Sequence, residues 1–134
     1  MILYRCGTTC PVGEIPPSNW ATNSVALEYF IDQCDERGLD CGETIFVIEI
    51  PAQSPADIGP YCRINGRATD GDPANPFGDD KNGWWSFNRP YHDFRVMAEI
   101  KLASLRFPDE VDELDARFKP QAEWPEWLKH RKGV

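Results

Sequence analysis

Residues 51 to 90 carry six prolines and five glycines, and this stretch limits the fold more than any other part of the chain. Proline fixes φ and removes a backbone donor, while glycine loses more conformational freedom on ordering than any other residue. With no helical or alternating apolar pattern, these forty residues read as one long loop, and regular structure falls to the blocks on either side. A loop of that length inside a small domain is either functional or disordered. Trp84, Trp85, Phe87 and Tyr91 near its end argue against disorder there, because rings of that size are packed on a scaffold or held out for a ligand.

The flanking blocks have clear periods. Met1 to Cys6 reads as a short strand ended by Gly7, and Asn19 to Thr22 as a second extended piece. Asn23 or Ser24 then caps a helix in which Ala26, Leu27, Phe30, Ile31 and Cys34 recur at helical spacing, up to Gly38. Thr44 to Ile50 is the strongest strand signal, and Pro51 stops it. Phe94, Val96, Ala98, Ile100 and Leu102 alternate with Arg95, Met97, Glu99 and Lys101, the period of a half-buried strand. From Pro108 a helix follows, with Asp109 and Glu110 in its first turn and Val111, Leu114 and Phe118 on one face. Pro120 and Pro125 break the chain after it, and Trp124, Trp127 and Leu128 are expected to pack the tail back onto the body. The order predicts a single α+β domain over residues 1–134.

Composition excludes some functions. Fourteen Lys and Arg against twenty-two Asp and Glu give a net charge of −8 and a sequence pI near 4.7. Such a field repels long polyanions, so neither general DNA binding nor attachment to an anionic membrane is expected. No apolar run has the length of a membrane helix and the N-terminus lacks a signal-peptide pattern, so the expected location is cytoplasmic. Five cysteines, at 6, 10, 34, 41 and 62, include no Cys-x-x-Cys pair, and only two histidines are present. This points to free thiols and no metal site.

Candidate chemistry begins at Arg5, the only cation in the first thirty residues. Its planar fork suits a phosphate or a ribose in a domain that is otherwise acidic. The segment Trp20-Ala21-Thr22-Asn23-Ser24 leads into the helix carrying Ala26, Tyr29 and Phe30, and Ile45 to Pro51 reads Ile-Phe-Val-Ile-Glu-Ile-Pro.

Taken together, Leu3-Tyr4-Arg5-Cys6-Gly7, the turn Trp20, Thr22, Ser24 opening the helix of Ala26 and Tyr29, and the strand ending in Glu49-Ile50-Pro51 resemble the small ADP-ribosyltransferase-like proteins of bacteria and their phages. The similarity covers the first fifty or so residues. It implies a split, strongly bent pair of small β-sheets with NAD between them. Arg5 would contact phosphate or ribose, Thr22 and Ser24 would support the cleft, and Tyr29 would stack on the nicotinamide. It further implies loss of nicotinamide as a macromolecular acceptor, a protein or a nucleic acid, attacks the ribose carbon. A carboxylate must steady the cation-like sugar, as in glycoside hydrolysis.

The family's catalytic Glu stands in a form like Glu-aromatic-x-Val, where this chain has Asp93-Phe94-Arg95-Val96. Aspartate is one methylene shorter, and a misplacement of about 1 Å can cost about a hundredfold. Regular alternation would turn Glu99, the second candidate acid, away from the face of Phe94 and Val96. Glu43 and Glu49 flank the middle strand as weaker candidates.

A different function class also fits: a non-catalytic phage or toxin-type inhibitor that grips a host protein through Trp84, Trp85, Phe87, Arg89 and Tyr91, residues typical of interface hot spots. Nucleic-acid mimicry would use Asp79, Asp80 and the run Asp109, Glu110, Asp112, Glu113, Asp115. A charge run of that kind otherwise reads as a solvated helix face.

Overall fold

The computed structural model describes residues 1–51, 62–65, 84–87, 89–107, 109–124 and 128–129. Its elements, in chain order, are β1 (Ile2–Gly7), β2 (Ser18–Ala21), α1 (Ser24–Glu36), β3 (Thr44–Glu49), β4 (Cys62–Asn65), β5 (Trp84–Phe87), β6 (Arg95–Lys101), α2 (Asp109–Asp112) and α3 (Leu114–Phe118). The described strands form one antiparallel sheet in the order β4-β5-β2-β1-β3-β6. The domain is α+β, as the order of periods predicts.

Each flanking block forms what its residues dictate. The Asn23 side chain accepts the Ala26 N–H at 2.8 Å and so caps α1. Gly38, at φ 66°, follows the helix in the left-handed region that glycine enters without strain. The run Thr44–Glu49 is apolar at successive positions because β3 is covered on both sides, buried at each residue through Ile48.

Two cores result, one on each face of the sheet. On the helical face, Ile2, Tyr4, Cys6, Ala21, Ile45 and Val47 meet Ala26, Leu27 and Ile31 of α1 and Val111 and Leu114 of α2 and α3. On the other face, Leu3, Phe46, Ile48 and Ile50 pack with Trp20, Trp85, Phe87 and Ile15. Ile15 is held there by a β-bridge to Tyr91, with bonds of 2.7 and 3.0 Å. Trp20 and Trp85 are cross-strand partners, each at most 1% exposed, and truncating a tryptophan so placed costs about 3–5 kcal/mol.

Three expectations need correction. Residues 51 to 90 are not one loop, since they contain β4 and β5. Each strand is four residues long, too short for alternation to show amid so many prolines and glycines. The aspartate clusters at 70–73 and 79–80, like the remainder of the 68–83 segment and Trp127, lie outside the described residues. The sheet is also a single hydrogen-bonded unit where the resemblance implies two. It is continuous through one β1–β2 register pair, Tyr4 with Ala21.

The third correction concerns β6. Its register against β3 shifts between Val47 and Ile48: Val47 faces Ala98, but Ile48 faces Val96. Met97 is therefore the extra residue of a β-bulge, which switches the face presented by everything after it. Phe94 and Val96 pack with the tryptophans, while Ala98, Ile100 and Leu102 pack on the helical side. The even alternation in the sequence hides this switch.

Candidate functional site

The sheet is thinnest between β1 and β2. β1 pairs with β3 along its whole length, from Ile2–Glu49 to Gly7–Thr44, yet with β2 only at Tyr4–Ala21. Beyond that pair the two strands part, and a cavity of about 360 Å³ occupies the fork. Arg5, Gly7, Ser18, Trp20 and Phe46 line it from the tryptophan side, joined by Thr8, Thr9 and Pro11. Phe30 of α1 reaches it as well. In an unbroken sheet a helix residue could not share a cavity with side chains of the opposite face.

Arg5 replaces the missing ladder. Its Nη1 donates to the Asn19 carbonyl at 2.8 Å, bridging the gap where backbone pairing stops. Burial lowers its pKa, although a guanidinium stays protonated in any case. Among the described residues no carboxylate forms an ion pair with it. A cation partly removed from water without a counter-charge favours an anionic ligand, and the remaining donors of the fork are the groups to bind it.

Glycine contact closes one wall of the cleft. Gly42 has φ 104°, and a Cβ built on it would lie 2.3 Å from the Gly7 carbonyl carbon. The backbones touch, so only glycine fits at 42. The Asp40 carboxylate accepts the Gly42 N–H at 2.8 Å and sets the approach. Beside this contact the Cys6 and Cys41 sulfurs are 3.3 Å apart, and both residues line the cavity. Burial raises the Cys6 thiol pKa well above its usual range, with the Cys41 contact adding to it.

The sequence-predicted residues do not all share this cleft. Ser24 is fully buried on the helical face, where its hydroxyl donates to the Asp115 carboxylate at 3.0 Å and its N–H donates to the same oxygen at 3.1 Å. Thr22 is buried, with its carbonyl accepting the Lys119 ammonium. Tyr29 is 50% exposed and lines a separate cavity of about 270 Å³ with Gln33, Cys34, Arg37 and Leu39. Phe30 borders both cavities. Asp93 is exposed at the other end of the sheet, near Met1, Glu49, Ile50 and Arg95. Glu49 is ion-paired with Arg95 at 2.7 Å.

Glu99 is placed differently from expectation. Arg5 pairs with Phe46 and Phe46 with Glu99, so the three form one row across three strands and share a face. The Met97 bulge is the cause, since an even strand would turn Glu99 to the helical side. Two strand spacings put its Cα about 10 Å from that of Arg5. It also neighbours the Cys10 thiol, whose pKa is raised by burial first and by Glu99 second. Cys10 lies in the segment of Thr8, Thr9 and Pro11 that forms the cleft rim.

Two further expectations are corrected. Trp85 and Phe87 are 0% and 2% exposed and Tyr91 stacks on Phe87 with ring centroids 5.3 Å apart, so these rings are core and not an interface anchor. Asp115, read as part of a solvated acidic face, is fully buried. Its spacing gives the signal: it follows Val111 by one helical turn, on the buried side. Thr8, Thr9 and Ser18 are the cleft residues that sequence reasoning missed. Among the described residues, no group of three or more His, Cys, Asp or Glu could hold a metal ion, and no helix is long and apolar enough to cross a membrane.

No protein-family model, no curated protein and no solved structure matches this chain.

Proposed function

We propose that the chain is an ADP-ribosyltransferase-like protein that binds NAD in the fork between β1 and β2 and transfers ADP-ribose to a macromolecular acceptor in the bacterial cytoplasm. A phage-encoded or toxin-like factor acting on a host protein is the setting that the resemblance suggests. The observation that carries the reading is the fork itself, a strand pair held at a single register position with an arginine at its mouth that has no carboxylate partner among the described residues. Arg5 binds a phosphate of the dinucleotide, assisted by the hydroxyls of Thr8 and Thr9 on the cleft rim. Glu99 is the favoured acid, because it shares the row of Arg5 and Phe46 whereas Asp93 sits at the far end of the sheet.

The chemistry is a displacement at the anomeric ribose carbon. The bond to nicotinamide breaks, the acceptor nucleophile bonds to that carbon, and the acceptor's proton passes to the carboxylate. Negative charge near the ring steadies the positive charge that develops as the leaving group departs. Thr22 and Ser24 act at a distance, by anchoring the start of α1. Tyr29 lines the neighbouring cavity and stands outside the fork, so it takes no part in holding the dinucleotide there.

Thermal unfolding with NAD tests the binding step. At NAD about ten times above Kd, stabilisation is about 1.4 kcal/mol, a rise in Tm of several degrees. Arg5→Ala abolishes that rise. Glu99→Gln keeps it but loses transfer of labelled ADP-ribose in a host lysate, and Asp93→Ala changes neither. No Tm rise at millimolar NAD would overturn the proposal.

A further inference from the structure

The cleft wall contains chemistry that the transfer reaction does not use. Cys6 and Cys41 come from positions thirty-five residues apart, yet their sulfurs lie at 3.3 Å. Closing that gap to a disulfide of about 2.05 Å needs a movement of only about 1.2 Å. The backbone already holds the two segments in register, since the Gly7–Gly42 contact leaves no room for a Cβ and the Asp40 carboxylate pins the turn. Each glycine adjoins one of the cysteines. We propose that Cys6 and Cys41 are an oxidisable dithiol, closed by a low-molecular-weight disulfide of the glutathione type, and that the resulting cross-link locks the 39–42 segment onto β1 as a fixed wall of the cleft.

The two thiols have distinct roles. Cys41 is half-buried and reachable from the cavity, whereas Cys6 is 1% exposed. Cys41, as thiolate, attacks one sulfur of the small disulfide and expels one thiolate, leaving a mixed disulfide. Cys6 then attacks the Cys41 sulfur, its proton leaving with the second expelled thiol. Two protein thiols and one small disulfide become one protein disulfide and two small thiols, and the two electrons reside on the small molecule. Burial holds the Cys6 proton tightly, so this second attack, which also needs the thiolate, is the slower step, and the 3.3 Å approach of the two sulfurs is what favours it. Cys34 is the competing partner, because its thiol lies close enough for Cys41 to raise its pKa after burial does. It is not within bonding contact of either sulfur. The inference does not depend on NAD being the ligand.

The whole chain is equilibrated in reduced and oxidised glutathione. The expected result is loss of two titratable thiols, a proteolytic peptide pair joining residues 6 and 41, and a rise in Tm on the order of 10 °C over the reduced protein, since the bond closes a long loop. Cys41→Ser removes the rise, and Cys34→Ser and Cys10→Ser retain it. Gly42→Ala, which pushes the turn off β1, slows closure at least tenfold. Recovery of Cys41 linked to Cys34 or Cys62, glutathione retained on Cys41 with no internal bond, or an unchanged Tm rise in Cys41→Ser would each overturn the proposal.

Discussion

Tyr4 and Arg5 are adjacent on one strand and meet opposite fates. Tyr4 points to the helical face, is fully buried, and donates its hydroxyl to the Asp115 carboxylate at 2.7 Å. Arg5 points to the other face, spans an unpaired stretch of sheet and has no carboxylate partner among the described residues. Around Asp115 the polar groups satisfy one another: Ser24 donates from its N–H and hydroxyl, and Lys119 lies 3.8 Å away. Around Arg5 one donor reaches the Asn19 carbonyl, and the others have no hydrogen-bond partner among the described residues. A fully satisfied buried network belongs to folding, while a partly buried charge with spare donors belongs to binding.

Removing Asp115 is the strongest test of that division. Asp115→Ala leaves the buried Tyr4 hydroxyl and Ser24 N–H without their acceptor and the Lys119 ammonium without its counter-charge, while the Ser24 hydroxyl keeps the Asp112 carbonyl at 2.9 Å and Lys119 the Thr22 carbonyl. Breaking a buried charged network in this way costs about 3–5 kcal/mol. Denaturant unfolding should show the loss as a lower midpoint with an unchanged slope. A loss below about 1 kcal/mol would mean that the helical face is not the structural half.

Tyr4→Phe has the next largest effect, because it deletes one hydrogen bond to a charged acceptor and nothing else. The expected loss is about 1.5–3 kcal/mol at neutral pH. Its pH dependence is more diagnostic. Burial first, and the Asp115 charge second, push the Tyr4 hydroxyl pKa far above its ordinary 10, so the folded protein keeps this proton where the unfolded chain releases it. With fewer protons on the unfolded state, stability falls as pH rises past about 10, by up to about 1.4 kcal/mol per pH unit. The phenylalanine variant should lose that part of the alkaline slope. Equal slopes in the two proteins would contradict a buried, proton-retaining Tyr4.

The sequence discloses the two halves unequally. The capped helix, the Thr44–Glu49 strand and the break at Gly38 are local events, governed by neighbouring residues, and they are legible as written. β4 and β5 are not, because a four-residue strand takes its identity from what it pairs with: Trp85 reads equally as a packed ring or one held out for a ligand until Trp20 is placed opposite it. The Met97 bulge is hidden for a related reason. Alternation along β6 looks regular, and only the register against β3 shows that Val96 and Ala98 face opposite cores. That one extra residue also decides which carboxylate shares a face with Arg5. Asp115 is legible only if its helical position outweighs the acidic run around it.

The smallest stability effect and the sharpest functional one should coincide at Arg5. Its bond to the Asn19 carbonyl lies on an exposed path, where a single hydrogen bond contributes about 0.5–1.5 kcal/mol at most. Arg5→Lys keeps the charge and most of the stem, so unfolding free energy should change by less than about 1 kcal/mol. The ammonium is a point charge that cannot span to Asn19 and present a planar pair of donors to an anion at the same time, whereas the guanidinium can. The lysine variant should therefore fold as stably as the parent while its NAD-induced Tm rise falls by at least half. Loss of stability comparable to Asp115→Ala would place Arg5 with the structural half of the molecule, and the comparison between the two faces would fail at the residue that defines it.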